Sequence, residues 1–520
     1  MRPEQQSADV NKWIIAVTVM TGTIMSALDT SIVNVALPYM RGNLGASVEE
    51  ITWVATGYML SNVIIMPLIA MLSSRYGRKR MYVASVLIFT MSSFLCAMSW
   101  DLSSLVVFRI LQGAGGGALI PLSQAILRES FPPEEQGIAM GIYGFGVVLG
   151  PAFGPTIGGW LTDNLSWPGI FYINLPIGII NLVLVARFLH DPPYLKREKG
   201  KIDLPGLGLL VVGLGALQMM LEKGQQKDWF ASYFIIYLAA ASAIALLLFI
   251  WRELAAKKPA VDLRVLKNVT FASGTMLGGL LGIGLYGSLF LLPFFLQQLL
   301  GYPAFDSGLV LMPRSLAMAV MMPVAGRLYN RLGPKIIIGT GLIITAFSFW
   351  QLSTMSLDVG FWDLFTPQCL QGAGFGMIFV ALSTAALSTI RRSDMNQATG
   401  LYNVVRQVFG SIGIAAAATE LTRGQNIFRA GLVKYITPFT PNSSTFVRTV
   451  TGAMMRSGAD AATARHKAMG ILDSQLGRQA GMLSYNHVFW LVTVLFIFSL
   501  PLVLLLREGR AEDGGGIMID

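Results

Sequence analysis

Ala70-Met-Leu-Ser-Ser-Arg-Tyr-Gly-Arg-Lys79 and Gly326-Arg-Leu-Tyr-Asn-Arg-Leu-Gly-Pro-Lys335 are one short pattern written twice, 256 residues apart. Each closes a long apolar run with a basic turn built around a glycine, Gly77 in the first copy and Gly333 in the second. A second pair follows: Leu111-Gln-Gly-Ala-Gly-Gly-Gly117 returns as Leu370-Gln-Gly-Ala-Gly-Phe-Gly376, 259 residues on. Two halves that repeat the same signals in the same order predict two similar bundles.

The signals sit in a series of fourteen apolar runs. These lie near 13–37, 51–71, 81–99, 103–126, 137–161, 169–189, 203–222, 229–251, 269–297, 304–328, 335–355, 361–388, 395–420 and 485–506. Each is near the roughly 20 residues a helix needs to cross lipid. Helices are expected because backbone groups in lipid find no partner outside their own segment. The basic turn follows run 2 and run 10, and the glycine-rich stretch lies in run 4 and run 12. Runs 1–6 therefore match runs 9–14, with runs 7 and 8 inserted between them. The sequence predicts an all-α polytopic membrane protein of two six-helix bundles plus two inserted helices. Its units are 1–189, 190–267 and 268–520, the last including a polar segment at 421–484.

Composition agrees. The 520 residues are 54% hydrophobic and 13% charged, where a soluble protein carries about 25% charged, and the mean hydropathy is +0.60. An ordinary soluble enzyme, a disordered chain and a disulfide scaffold are excluded. Cys96 and Cys369 lie in apolar runs, the three histidines lack ligand spacing, and no nucleophile constellation is present. Neither catalysis, a metal nor a cofactor is expected. The first run is too long for a signal peptide and lacks a small-residue cleavage site. The net charge of +10 reads as a topology signal, not a nucleic-acid one. With residue 1 inside, Arg75–Arg80, Lys196–Lys201 and Lys257–Lys267 all fall inside, while the short outer loops hold Arg41, Lys223 and Lys227. That asymmetry puts both termini in the cytoplasm.

Several stretches carry more than topology. The turn containing Arg75 and Gly77, like its copy with Arg331 and Gly333, is either a basic anchor or a latch between helices. In run 5, Gly146, Gly150, Gly154 and Gly158 recur every four residues, with Pro151 and Pro155 among them. Such a stripe lets another backbone approach closely, and proline removes helix hydrogen bonds. Gly113-Ala-Gly-Gly-Gly-Ala118 fits a dinucleotide fingerprint, but no strand precedes it and it lies inside a membrane run, so close helix packing is the better reading. Asp29 is the one acid deep in a run, and an intramembrane acid is functional by default. Asp29 and Arg109 each lie roughly 10 Å below the outer surface, at 1.5 Å per residue. Arg314 and Arg406 are the other deep cations, each either satisfying a helix break or facing a cavity. Asn34, Gln112, Gln371, Arg406 and Gln407 are the candidate cavity residues. Three deep arginines against one aspartate favour neutral or anionic lipophilic compounds over dications.

These features together resemble the major facilitator superfamily. The basic turn is similar to its loop motif G-x-L-A-D-R-x-G-R-K, with Ala70 in place of the first glycine and Ser74 in place of the acid. The run 5 stripe resembles the antiporter motif of its drug exporters. Leu28-Asp-Thr-Ser-Ile-Val-Asn-Val-Ala-Leu-Pro38 resembles the first-span signature of the fourteen-span drug:proton antiporters. Pro121-Leu-Ser-Gln124, Ile173-Asn-Leu-Pro-Ile-Gly178, Lys223-Gly-Gln-Gln-Lys-Asp-Trp-Phe230 and Pro438-Phe-Thr-Pro-Asn442 extend the likeness to the EmrB-type pumps of Gram-negative inner membranes. The resemblance implies that spans 1 and 4 are neighbours, so that Asp29 and Arg109 pair and couple transport to protons. It also implies export of lipophilic drug-like compounds driven by the proton gradient, with a periplasmic adaptor and, through it, an outer-membrane channel as partners.

The segment 421–484 is long for a loop in a compact domain. Met469, Leu472 and Leu476 fall at helical spacing, and Asp460–Tyr485 is rich in helix formers. Two readings stand: a disordered tether, or an ordered periplasmic cap that meets the adaptor.

Overall fold

The structure, a computed structural model, describes residues 11–191, 203–256, 259, 261–391, 394–437 and 440–506. Lys196–Lys201, Lys257, Lys258, Pro438 and both chain ends lie outside the described residues.

The described chain is helical throughout. The first half comprises α1 (Lys12–Leu44), α2 (Trp53–Tyr76), α3 (Arg78–Ala97), α4 (Leu102–Ser130), α5 (Gln136–Leu165) and α6 (Asn174–Phe188). The inserted pair is α7 (Leu204–Lys223) and α8 (Tyr233–Ala255). The second half begins with α9 (Val269–Phe294), which a π-helical turn, Phe295–Leu299, continues. A helical trace then runs over Ala304–Ser353, 50 residues, and breaks at Gly333, where φ is 75° and ψ 163°. Its arms, 304–332 and 334–353, are α10 and α11. Last come α12 (Phe361–Leu387), α13 (Met395–Val433) and α14 (Ala461–Val503).

Twelve helices among the described residues are long and apolar enough to cross a membrane; one is Asp306–Ser353, and Trp53–Ile69 is a shorter apolar stretch. At 1.5 Å per residue the Ala304–Ser353 trace would extend about 75 Å if straight, far beyond the ~30 Å apolar core of a bilayer. Gly333 is where it divides. Gly77, the matching residue of the first half, has nearly the same backbone, φ 92° and ψ 150°. A side chain is strained at positive φ, so glycine is what lets one helix end and the next begin without a loop. With that division, the fourteen helices follow the fourteen apolar runs in order.

The second repeat has its own packing job. A Cβ on Gly113 would run into the Tyr58 carbonyl, on Gly117 would reach 2.5 Å from Asn62 O, and on Gly115 would reach 2.6 Å from Phe89 N. α4 is thus pressed against both α2 and α3. In α12, a Cβ on Gly372 would run into the Arg314 carbonyl, on Gly376 would come 3.0 Å from Met318 O, and on Gly374 would come 2.9 Å from Gly341 O of α11. Close backbone packing accounts for both copies.

The halves join at the end that carries the basic turns. Gly137 of α5 and Gly326 of α10 are in backbone contact there. Arg128 of α4, 3% exposed, donates to the Thr384 carbonyl of α12 at 3.0 Å. Asn403 of α13 donates to Gln124 of α4 at 2.6 Å, and Asn330 donates to the Glu134 carbonyl. The inserted pair bridges the halves from the side. Leu210, Leu214 and Phe249 cluster with Val63 and Met66 of α2 and with Val404 of α13. At the far end Lys223 holds Thr52 at 2.8 Å and Trp229 holds Thr419 at 2.9 Å.

Most of the described part of the polar segment is helix. α13 runs to Val433, beyond the expected 420, because the residues past Glu420 keep helical hydrogen bonding. A separate helix covers Pro441–Arg456. α14 then starts at Ala461, where Asp460 accepts from the amides of Ala462 and Thr463. Hydrogen bonding from Thr463, its side chain first and its amide next, holds the Asp460 carboxyl below its ordinary range. Arg429 and Asp473, 2.6 Å apart, tie the two extensions together.

Candidate functional site

α1 also runs past its expected end, to Leu44, so Asp29 lies fifteen residues (44 − 29) from its terminus. It lies deeper than a helix ending near Leu37 would place it. The glycine stripe of α5 lies against this part of α1. A Cβ on Gly150 would come 2.6 Å from Leu28 N, on Gly154 2.5 Å from Ser31 Cβ, and on Gly158 3.1 Å from Ile32 O. The helix is continuous through Pro151 and Pro155.

On the other side of α1, Asp29 is 1% exposed and enclosed by a polar cluster. Arg109 of α4 donates from Nη1 to Asp29 Oδ2 at 2.6 Å and to Gln112 Oε1 at 2.7 Å. Gln112 donates to Asp29 Oδ1 at 2.9 Å. Asn174 of α6 donates to the same oxygen at 2.9 Å and to Ser93 Oγ of α3 at 3.0 Å. The Nε of Arg109 reaches the Val54 carbonyl at 3.1 Å, and its guanidinium lies 4.3 Å from the Tyr58 ring centroid. Cys96 Sγ approaches Gln112 Oε1 at 3.6 Å. A buried ion pair holds only if its remaining lone pairs and protons are also satisfied, and here the first half's helices supply those partners. The carboxylate is bonded, yet its charge is cancelled by a single cation. Adding one proton would remove the reason for the pair.

The structure brings Gln112 into this cluster. It is 0% exposed and spans the carboxylate and the guanidinium, so it does not face a cavity opposite Arg406. Asn174, Ser93 and Tyr58 are members that sequence reading did not single out. Asn34 is exposed, and Gln407 is half-buried and accepts from Tyr286 at 3.2 Å.

The second half differs in chemistry at matched positions. Moving 259 residues on, Arg109 becomes Gln368 and Gln112 becomes Gln371; moving 256 residues on, Tyr58 becomes Arg314. α9 carries no acid. Arg314 donates to Ser288 and to Gln371, both at 3.3 Å. Arg406 donates to Asn403 at 2.9 Å and lies 4.9 Å from the Phe379 ring centroid. Among the described residues neither arginine has an acidic partner, whereas Arg109 has Asp29.

At the basic end, Arg75 lies over Tyr76 and Arg331 is exposed. Ser74 leaves the turn without its own acid, and acids from elsewhere fill that role. Asp191 accepts from the Lys79 amide at 2.8 Å and packs on Gly77. Glu129 pairs with buried Arg78, with Nη2 to Oε1 at 2.8 Å. Glu253 is a further fully buried acid, near the end of α8, and accepts from the Val261 amide at 3.1 Å. No cluster of metal-ligating side chains occurs among the described residues.

Comparison with known proteins gives a consistent picture. The profile of the Major Facilitator Superfamily matches residues 19–414. The chain is 35% identical to the fatty acid resistance protein FarB of Neisseria gonorrhoeae, over 95% of each chain. It is 32% identical to the multidrug export protein EmrB of Escherichia coli (strain K12), over 97% of each. The colistin resistance protein EmrB of Acinetobacter baumannii is 28% identical, over 96% of this chain and 97% of that one. Among solved structures, the human organic anion transporter MFSD10 superposes with a TM-score of 0.58 at 13% identity, covering 94% of this chain and 99% of that one. That last likeness is one of fold.

Proposed function

The chain belongs to the major facilitator superfamily, and we propose that it is a proton-coupled multidrug exporter of a bacterial inner membrane. All fourteen helices cross the bilayer in this reading, with both termini cytoplasmic, and the basic turns at Gly77 and Gly333 mark the inner face. The charge asymmetry of the loops supports that orientation. The names of the relatives support export of lipophilic drug-like compounds.

The Asp29 cluster carries the reading. Asp29 takes up a proton when the site faces outward. The neutral carboxyl releases Arg109, and the strain falls on α1 and the α5 stripe that rests on it. α5 also forms the inner closure, through Gly137 against Gly326, so a shift there opens the inner face. Release of the proton inward restores the ion pair. No cofactor is needed, because the proton gradient drives the cycle.

The helical segment beyond Glu420 serves as a periplasmic cap that meets an adaptor protein, and through it an outer-membrane channel. Its order, with Arg429 bonded to Asp473, supports a docking role over a loose tether. A second reading, export of fatty acids or lipids by the same fold, is favoured by one observation: the FarB relative is named for fatty acid resistance. Efflux from proteoliposomes under an imposed pH gradient tests the proposal. An exporter moves lipophilic dyes out only with the gradient present. Uptake in the same direction as protons, or no movement, would reject it.

A further inference from the structure

We propose that Arg406, Tyr143 and Tyr402 form a site for the charged head of a lipophilic monoanion, a carboxylate on an apolar body. The proposal rests on the export reading above and names a substrate class for it. Arg406 is 5% exposed, and Tyr143 and Tyr402 are fully buried. One amino group of the guanidinium, Nη2, is spent on Asn403. The other, Nη1, makes no well-formed hydrogen bond among the described residues, and neither do the hydroxyls of Tyr143 and Tyr402; the Tyr143 hydroxyl lies close enough to the guanidinium to interact with it, as a neutral group that leaves the charge unbalanced. The groups that face Arg406 electrostatically are Tyr143, Tyr286 and Tyr402, none of them an acid.

Unpaired donors and an unbalanced cation are costly in a buried place. The same chain shows the ordinary solution fifteen residues from the end of α1, where Arg109 has its carboxylate. At Arg406 the missing partner is an acceptor with negative charge. Guanidinium N–H and phenol O–H groups are all donors to it, and such charge-assisted bonds are the strong ones. The surroundings set the rest of the ligand. Phe379 lies under the guanidinium and stacks with Tyr143 at 6.0 Å between centroids, so the wall beside the head is aromatic and apolar. One free amino group and two hydroxyls suit a single negative charge. A dication would add repulsion to a site that already holds one unbalanced charge.

Position strengthens the case. Tyr143 comes from α5 of the first half, and Arg406 and Tyr402 from α13 of the second, so the site spans the interface where transporters of this construction bind substrate. It also touches the inner closure. Asn403, which Arg406 holds, donates in turn to Gln124 of the other half at 2.6 Å. An anion that draws the guanidinium away loosens one of the bonds that join the halves. The charge balance follows: export of one monoanion against n protons moves n + 1 positive charges inward, and a neutral analogue moves n.

The test uses the full chain in nanodiscs, with naphthoate and its uncharged isostere naphthamide as probes. The wild type should bind naphthoate more tightly than naphthamide. Arg406→Gln should lower the naphthoate-to-naphthamide affinity ratio by about tenfold or more, the scale of a lost charged hydrogen bond. Tyr402→Phe and Tyr143→Phe, which keep the ring, should lower it about threefold each. Naphthamide binding also reports that the variants are folded. Equal binding of the two probes by the wild type, or a ratio unmoved in Arg406→Gln and in both phenylalanine variants, would overturn the site. Gradient-driven efflux of naphthamide is scored separately. Its absence counts against the export reading, while its presence with an unmoved ratio counts against the anion site alone.

Discussion

Asn174 donates its side-chain amide to Oδ1 of Asp29 at 2.9 Å, from a helix 145 residues further along the chain. The same amide nitrogen donates to Ser93 at 3.0 Å, so α6 meets α1 at the carboxylate and ties it to α3. Replacing Asn174 by Ala removes a bond to a charged group, worth about 1.5–3 kcal/mol. Proton-driven efflux should fall about tenfold or more on that scale. Substrate counterflow, which needs no net proton movement, should fall less. Equal loss in both assays would assign Asn174 to folding alone.

The α5 stripe makes a sharp comparison possible between neighbouring glycines. Gly150→Ala pushes a methyl into the α1 backbone, whereas at Gly159 an added methyl meets nothing within 4 Å. Overpacking of this kind costs about 1–3 kcal/mol. Gly150→Ala should lower thermal stability and abolish efflux, and Gly159→Ala should do neither. A thermal melt with a parallel transport assay would show whether the stripe is a contact surface or a surface facing lipid.

Arg128 holds the Thr384 carbonyl across the two halves at 3.0 Å. Arg128→Met removes that bond and keeps most of the side-chain volume. The inner closure should then open more often. Spin labels at the exposed positions 134 and 331 should report a larger share of long distances. An unchanged distance distribution would mean that the glycine contact at Gly137 and Gly326 is enough to hold the closure.

Replacement of Thr440–Gly477 by a short glycine-serine linker separates transport from docking. Transport in liposomes should persist, while drug resistance of cells and co-purification with the adaptor should fall together. Normal adaptor binding with unchanged resistance would favour a tether without a docking role.

Much of the fold is visible in the sequence because membranes leave few options. Length and hydropathy mark the helices, and the copies at Gly77 and Gly333 mark where two of them end without a loop. The extensions of α1 and α13 were not visible, since polar helix outside lipid lacks the apolar signal. Asp29 and Arg109 stand out in the sequence as rare charges in apolar runs, but only the family resemblance implies that they pair. Asn174 gave no such sign: an uncharged amide in Ile173-Asn-Leu-Pro reads as ordinary helix, and its partners come from distant segments. Gln112 looks like a cavity residue in the sequence because its neighbours there do not show that Asp29 lies beside it. Tyr143 and Tyr402 were hidden among many aromatic residues, most of which need no polar partner. Their role shows only once Arg406 is seen to have no acid beside it.

Proton movement itself tests the central claim most directly. Wild-type protein is reconstituted with a pH-sensitive dye inside the vesicles, without a pre-set gradient, and a substrate gradient is imposed. Protons should move opposite to the substrate, in proportion to it. Asp29→Asn, which keeps the side-chain shape and leaves acceptor capacity for Arg109, should bind substrate yet move no protons. Substrate-dependent proton flux through Asp29→Asn at the wild-type rate would contradict the account.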